Sequence, residues 1–210
     1  MSDHRGHISA RLPGTDSMLI KARLDEDIPN LGSVSEEHIA RMTLEGKVIK
    51  IKKGLVPPGE YFMHTSIYKA RPDVMSVCHI HPKYTTVLGI AGRGIRPVYH
   101  LRDAKVVGRE LPVLNDPRLI TNEAMGKKVV DALGERDACV LRWHGLVTVG
   151  RSVREATLRA LKIETQAEYN FLALQAGGLE EIPSEYVGAA PESKSQLDAD
   201  WAYFSARSRT

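Results

Sequence analysis

The chain is 210 residues long and has a mass of 23.3 kDa, a size that suits one domain built around one core. Its 29 Lys and Arg stand against 26 Asp and Glu, a net charge of +3 with no basic block, so composition gives no case for a nucleic-acid partner. Residues 1–20 contain no apolar signal stretch and no run nears the roughly 18 apolar residues of a membrane span, which argues against a membrane role and points to the cytoplasm.

In chain order, "GHISARL", "PGTD" and "MLIKAR" predict two short strands joined by a Pro-Gly turn. "SVSEEHIARM" offers Ser33 or Ser35 as an N-cap with acids in the first turn, a helix start, before residues 48–51 return to a strand pattern. "GEYFMHTSIYKARPD" carries Phe62, Met63, Ile67 and Ala70 near helical spacing, and Pro72 ends it. A buried strand, "VMSVCHIH", a second helix, "PKYTTVLGIAG", and a short strand, "RPVYH", follow. "TNEAMGKKVVDALGE" predicts a helix with Thr121 as N-cap and Glu123 in its first turn. "ACVLRWHGLVTVG" is an apolar, β-branched run broken at His144-Gly145, and "SVREATLRALKIETQAEYNFLALQAGG" is a long amphipathic helix closed by Gly177-Gly178. Residues 183–210 read as an exposed C-terminal segment with a short final helix in "LDADWAYFSAR". Cys78 and Cys139 lie in apolar segments and read as small buried hydrophobes, not as a disulfide pair. The pattern is that of a single α/β or α+β domain, residues 1–210, with helices flanking a mixed sheet.

Two histidines separated only by Ile80 close the buried strand. Residues i and i+2 of a strand point the same way, so His79 and His81 project together where the strand gives way to Pro82. His144 sits at the break in another apolar strand, and Glu60 at the start of a helix, after Pro57-Pro58-Gly59. Three neutral imidazoles with an open position suit Zn, Mn, Co or Fe, and a nearby carboxylate is a fourth ligand or an acid/base. Each feature has a plainer alternative. An isolated H-x-H occurs in many proteins, His144 alone suits a turn histidine bonded to backbone, and Glu60 could complement the helix dipole. Spacing alone does not bring the three together.

"PPGEYFMHTSIYKARPDVMSVCHIHPKYTTVLGIAG" followed by "RWHGLVTVGRSVREA" resembles the class II aldolase/adducin family, over roughly residues 6–178. The resemblance implies a three-layer α/β/α fold with a mostly antiparallel or mixed sheet and assembly as a homotetramer with sites near subunit interfaces. It also implies one divalent metal ion per subunit on His79, His81 and His144, with Glu60 as the acid/base beside it. Sugar-phosphate aldolases of the family have a Gly-Asn turn and serines before this Glu, both serving the phosphate. Here the residues are Gly6-His7 and Pro58-Gly59. Tyr99 and His100 fall near the place of the tyrosine that such aldolases donate across the interface; His100 is the catalytic candidate and Tyr99 a substrate contact.

"GHIS", "PGE", "RPVYH" and "DWAYFSAR" resemble the family branch that holds decarboxylases of hydroxylated aromatic or oxo-dienoic carboxylic acids. The expected function is therefore a metal-dependent lyase acting on a small carboxylate. The alternatives are an aldolase or epimerase acting on a sugar or its phosphate, and a non-enzymatic interaction module of the adducin kind. His7, Lys21 and Arg23 lie on the N-terminal hairpin, and Lys21 or Arg23 could bind a second substrate carboxylate or simply be solvated strand charges. His64 lies one helical turn after Glu60, as support for it or as a packed polar residue.

Overall fold

The computed structural model describes residues 5–23, 34–189 and 194–207. Eight strands form one sheet in the order β4-β3-β2-β1-β5-β8-β7-β6. They are β1 (His7–Arg11), β2 (Ser17–Lys21), β3 (Ile39–Thr43), β4 (Val48–Lys50), β5 (Ser76–Ile80), β6 (Val113–Leu114), β7 (Ala138–Leu141) and β8 (Gly145–Gly150). Every pairing is antiparallel except that of β6 with β7. The helices are α1 (Tyr61–Ala70), α2 (Lys83–Ile90), α3 (Leu101–Val107), α4 (Glu123–Leu133), α5 (Val153–Gln175), α6 (Ser184–Ala189) and α7 (Lys194–Arg207).

Strand alternation sorts the core into two layers. Val77 and Val147 join Met63 and Ile67 of α1 and Val129 of α4 on one face. Cys78 and Leu146 join Leu88 of α2, Val107 of α3 and Ile163 of α5 on the other. Met63 and Ile67 are fully buried, each worth about 1.5–3 kcal/mol of apolar transfer. Helices α1 and α4 approach closely because position 126 is glycine: a Cβ there would lie 2.2 Å from the Ser66 Oγ and 2.8 Å from the Phe62 carbonyl oxygen. Both cysteines are buried and free.

Four local expectations change. Residues after Ser35 make only a 3-10 turn, Glu36–His38, before the chain enters β3. Ala40 and Met42 are buried with period 2 against β2, and that pairing outweighs the N-cap signal; Ser33 lies outside the described residues. "RPVYH" is not a strand, because its backbone bonds to side chains instead of to a neighbouring strand. The amides of Val98 and Tyr99 donate to the Gln166 Oε1, and that of Arg96 to the Asn170 Oδ1. The N-cap of α4 is Asn122, which accepts from the Met125 amide at 3.0 Å, one residue later than expected. The C-terminal segment holds a further helix, α6, and α7 is tied down through Arg154–Asp198 and Lys162–Asp200 ion pairs.

Candidate active site

Strands β1, β5 and β8 are consecutive in the sheet, and at one end of them the imidazoles meet. His7 pairs in register with His79, and His79 with Val147. His79 shares the face of Val77 that looks toward α1. His81 follows just beyond β5, and His144 closes the turn into β8 by donating its amide to the Leu141 carbonyl at 3.0 Å. Gly145 allows the close approach: a Cβ there would lie 2.4 Å from the Ile80 carbonyl oxygen and 2.9 Å from the His81 ring.

One ring nitrogen from each of His79, His81 and His144 lies within 4.8 Å of the others. The Nε2 atoms of His79 and His81 are 3.0 Å apart. His79 is fully buried, and its Nδ1 is 3.0 Å from the Leu146 carbonyl oxygen. An acceptor there fixes the proton on Nδ1 and turns the Nε2 lone pair toward the cluster. Burial, with His144 nearby, lowers the His79 pKa to about 3, so the ring is neutral at neutral pH.

Glu60 is the N-cap of α1, yet its side chain makes no capping bond. Its Oε1 accepts from the Ile120 amide at 3.0 Å, and its Oε2 is 3.5 Å from the His144 Nε2 and 3.9 Å from the His79 Nε2. Burial acts to raise its pKa, but the His144 hydrogen bond and the adjacent His79 hold it well below the usual carboxylate range. The neutral His79 ring with its Nε2 turned inward, the ring nitrogens of His81 and His144 and an ionised carboxylate beside them fit a divalent cation of the borderline type.

The cluster forms the floor of a cleft of about 510 Å³. His7, Glu60, His81 and His144 line it, with Pro58-Gly59 beside Glu60 and Arg5, Arg23, Thr121 and Trp143 around the wall. Of the substrate-contact candidates, His7 and Arg23 are therefore at the cleft. Lys21 is not: it is buried, its Nζ donates to the Ala22 carbonyl at 3.0 Å, and burial lowers its pKa. Strand β2 ends at Lys21, so Arg23 lies beyond it, with its amide on the Val56 carbonyl. His64 is fully buried and bonds to His7 rather than to Glu60, its Nε2 2.7 Å from the His7 Nδ1. Tyr99 and His100 are exposed and outside this cleft; Tyr99 stacks on Tyr169 at 3.9 Å.

Sequence reasoning missed Arg5, Trp143 and the Ser9–Tyr68 pair behind His64. Ser9 shares the strand face of His7 two residues on, and Tyr68 lies one helical turn after His64, so both spacings were legible. Trp143 carried a signal too: a bulky aromatic directly before His144-Gly145, at a turn.

Residues 2–171 match the family model described as Class II Aldolase and Adducin N-terminal domain. A 3,4-dihydroxyphthalate decarboxylase of Terrabacter sp. (strain DBF63) is 34% identical over 143 residues, covering 66% of this chain and 60% of that protein, less than two thirds of its length. A protein of the same name from Arthrobacter keyseri is 28% identical over 205 residues, covering 94% of this chain and 82% of that protein. Among solved structures, an aldolase II superfamily protein from Pseudomonas syringae superposes with a TM-score of 0.82 at 22% identity, over 98% of this chain and 84% of that one, a likeness of fold.

Proposed function

The chain belongs to the class II aldolase and adducin N-terminal domain family, and within it we propose a divalent-metal-dependent lyase that decarboxylates a small hydroxylated aromatic or oxo-dienoic acid. The observation that carries this reading is the convergence of His79, His81, His144 and Glu60 on a cleft whose wall before Glu60 is Pro58-Gly59. No side-chain hydroxyl stands at those two positions to hold a phosphate. The names of the two decarboxylase relatives support the same choice of reaction.

His79, His81 and His144 would hold the ion, which when bound supplies Lewis-acid stabilisation of negative charge developing on a substrate oxygen. Glu60, ionised and oriented by the Ile120 amide, takes the proton of the substrate hydroxyl as the acid binds. The oxyanion so formed pushes electron density onto the carbon that bears the carboxylate, and that carbon takes the proton back from Glu60. The C–C bond to the carboxylate then breaks, CO₂ leaves, and the bond's electron pair returns to the substrate oxygen; water restores the hydroxyl, so one proton is consumed for each CO₂ released. His7 faces the cleft and is placed to bond the substrate. Arg23 is placed to pair with a carboxylate. Tyr99 and His100, exposed outside their own cleft, are suited to reach a neighbour's site in a homo-oligomer, for which a tetramer is the expected state.

Elemental analysis of untagged protein is expected to find about one equivalent of Zn, Mn, Co or Fe per chain. His79→Ala and His144→Ala should each lose the ion and the activity. Glu60→Gln should keep the ion and lose about 100-fold or more in kcat. CO₂ release from hydroxylated carboxylic acids checks the reaction class. Aldehyde release from sugar phosphates instead would move the assignment to an aldolase, and a chain that binds no metal on titration would be an adducin-like interaction module.

A further inference from the structure

Trp143 combines two features that folding alone does not favour. Its φ is 61°, in the left-handed region that a bulky side chain rarely enters. It is also 47% exposed, although it is one of the largest apolar side chains in the chain. The turn it occupies joins β7 to β8, and at its third position glycine or asparagine would be free of strain. A tryptophan there is held in place from behind. The Arg142 guanidinium carbon lies 4.2 Å from the indole centroid, and the Arg142 Nη1 donates to the Asn115 Oδ1 at 2.8 Å. The ring so fixed lines the cleft directly beside His144, and Arg5 and Arg23 line the same cleft. A strained, exposed and braced aromatic on the wall of a site is a platform for a flat ring, because offset stacking rewards planarity. Guanidinium groups on the same wall reward an anionic substituent on that ring.

We propose that Trp143 is the specificity-determining residue of this cleft, stacking on a planar aromatic substrate whose second anionic group faces Arg5 and Arg23. This deepens the lyase reading and rests on it for the placement of the reacting carboxylate at the histidine cluster. It selects flat, conjugated acids over saturated acids and sugars.

The test is calorimetric binding of benzene-1,2-dicarboxylate, which has no hydroxyl and so does not turn over, to the protein loaded with its metal. Benzoate and cis-cyclohexane-1,2-dicarboxylate are the comparison ligands. The aromatic dianion should bind about tenfold or more tightly than either. Trp143→Asn, which suits the left-handed turn, should keep or raise Tm while weakening that binding about tenfold, and Trp143→Phe should restore most of it. Arg23→Gln should narrow the gap between the dianion and benzoate. Equal binding of the saturated ring, or wild-type affinity in Trp143→Asn, overturns the proposal, and so does an equal loss in the Asn and Phe variants. CO₂ release from hydroxybenzoates that is indifferent to Trp143→Asn also counts against Trp143 alone. Trp143-dependent binding without any CO₂ release counts against the lyase reading alone.

Discussion

His64 lies one helical turn after Glu60, yet its hydrogen bonds run away from it. The His64 Nε2 faces the His7 Nδ1 at 2.7 Å, its Nδ1 faces the Ser9 Oγ at 2.7 Å, and the Ser9 Oγ faces the Tyr68 hydroxyl at 2.7 Å. The chain of four groups admits two proton orders. If Tyr68 donates to Ser9 and Ser9 to His64, then His64 donates to His7, whose Nε2–H faces the cleft as a donor. In the reverse order His7 presents an acceptor. Burial raises the Tyr68 pKa to about 12, so the phenol keeps its proton and can serve in either order. Burial also lowers the His64 pKa to about 3, against a smaller opposing effect of Glu60. A folded pKa below the unfolded value near 6.5 means that the unfolded chain binds the proton first. Stability from a neutral His64 is thus complete above about pH 6.5 and falls by up to about 1.4 kcal/mol per pH unit down to about pH 3. Denaturant unfolding of metal-free protein should therefore lose stability between pH 7.5 and 5, with about 2 kcal/mol of the loss from His64 and more from the buried His7 and His79, whose pKa values are also lowered. His64→Gln should show a smaller loss, and an unchanged pH dependence in that variant would refute the account.

At the scale of elements, the instructive failure is the segment after α2. "RPVYH" has the composition of a strand, and only the tertiary structure shows that Gln166 and Asn170 of α5 take the place of a neighbouring strand. Each side chain both accepts and donates: the Gln166 Nε2 bonds the Tyr99 carbonyl, and the Asn170 Nδ2 bonds the Arg96 carbonyl at 2.8 Å. Both residues are buried on a helix whose periodicity predicts an apolar face there, so two polar residues in that stripe were the available sign. Gln166→Leu leaves two amides and a carbonyl without their partner, which should cost about 2–3 kcal/mol in denaturant unfolding. Amide exchange at Val98 and Tyr99 should accelerate with it. Unchanged stability would mean that water satisfies those groups as well as Gln166 does. The hairpin β1–β2, helices α1, α2 and α5, and strands β5, β7 and β8 were legible because their hydrophobic period agrees with their tertiary role. β3 was not, because a capping serine followed by acids imitates a helix start.

Over the whole molecule, the grouping of residues 60, 79, 81 and 144 followed from family order and not from spacing. What brings the three histidines together is the antiparallel pairing of β5 and β8, and the packing of α1 on the same sheet brings Glu60, neither of which any local pattern announces. H-x-H showed which two rings point together; the third ring and the carboxylate needed the sheet order. The same topology puts Cys78 in the central strand β5, next to His79, and Cys139 in β7, on the far side of β8, both buried and with thiol pKa values pushed up to about 12 by burial. A protonated, enclosed thiol does not react, so an alkylating reagent can reach Cys78 only after the strand that carries the paired imidazoles has separated from its neighbours. The chain thus carries an internal clock. Under native conditions both thiols should be modified together, at a rate set by the equilibrium of global opening and proportional to reagent, levelling off at the opening rate where alkylation outpaces reclosing. Rapid modification of Cys78 in folded protein would show instead that the middle of the sheet opens by itself, and the site with it.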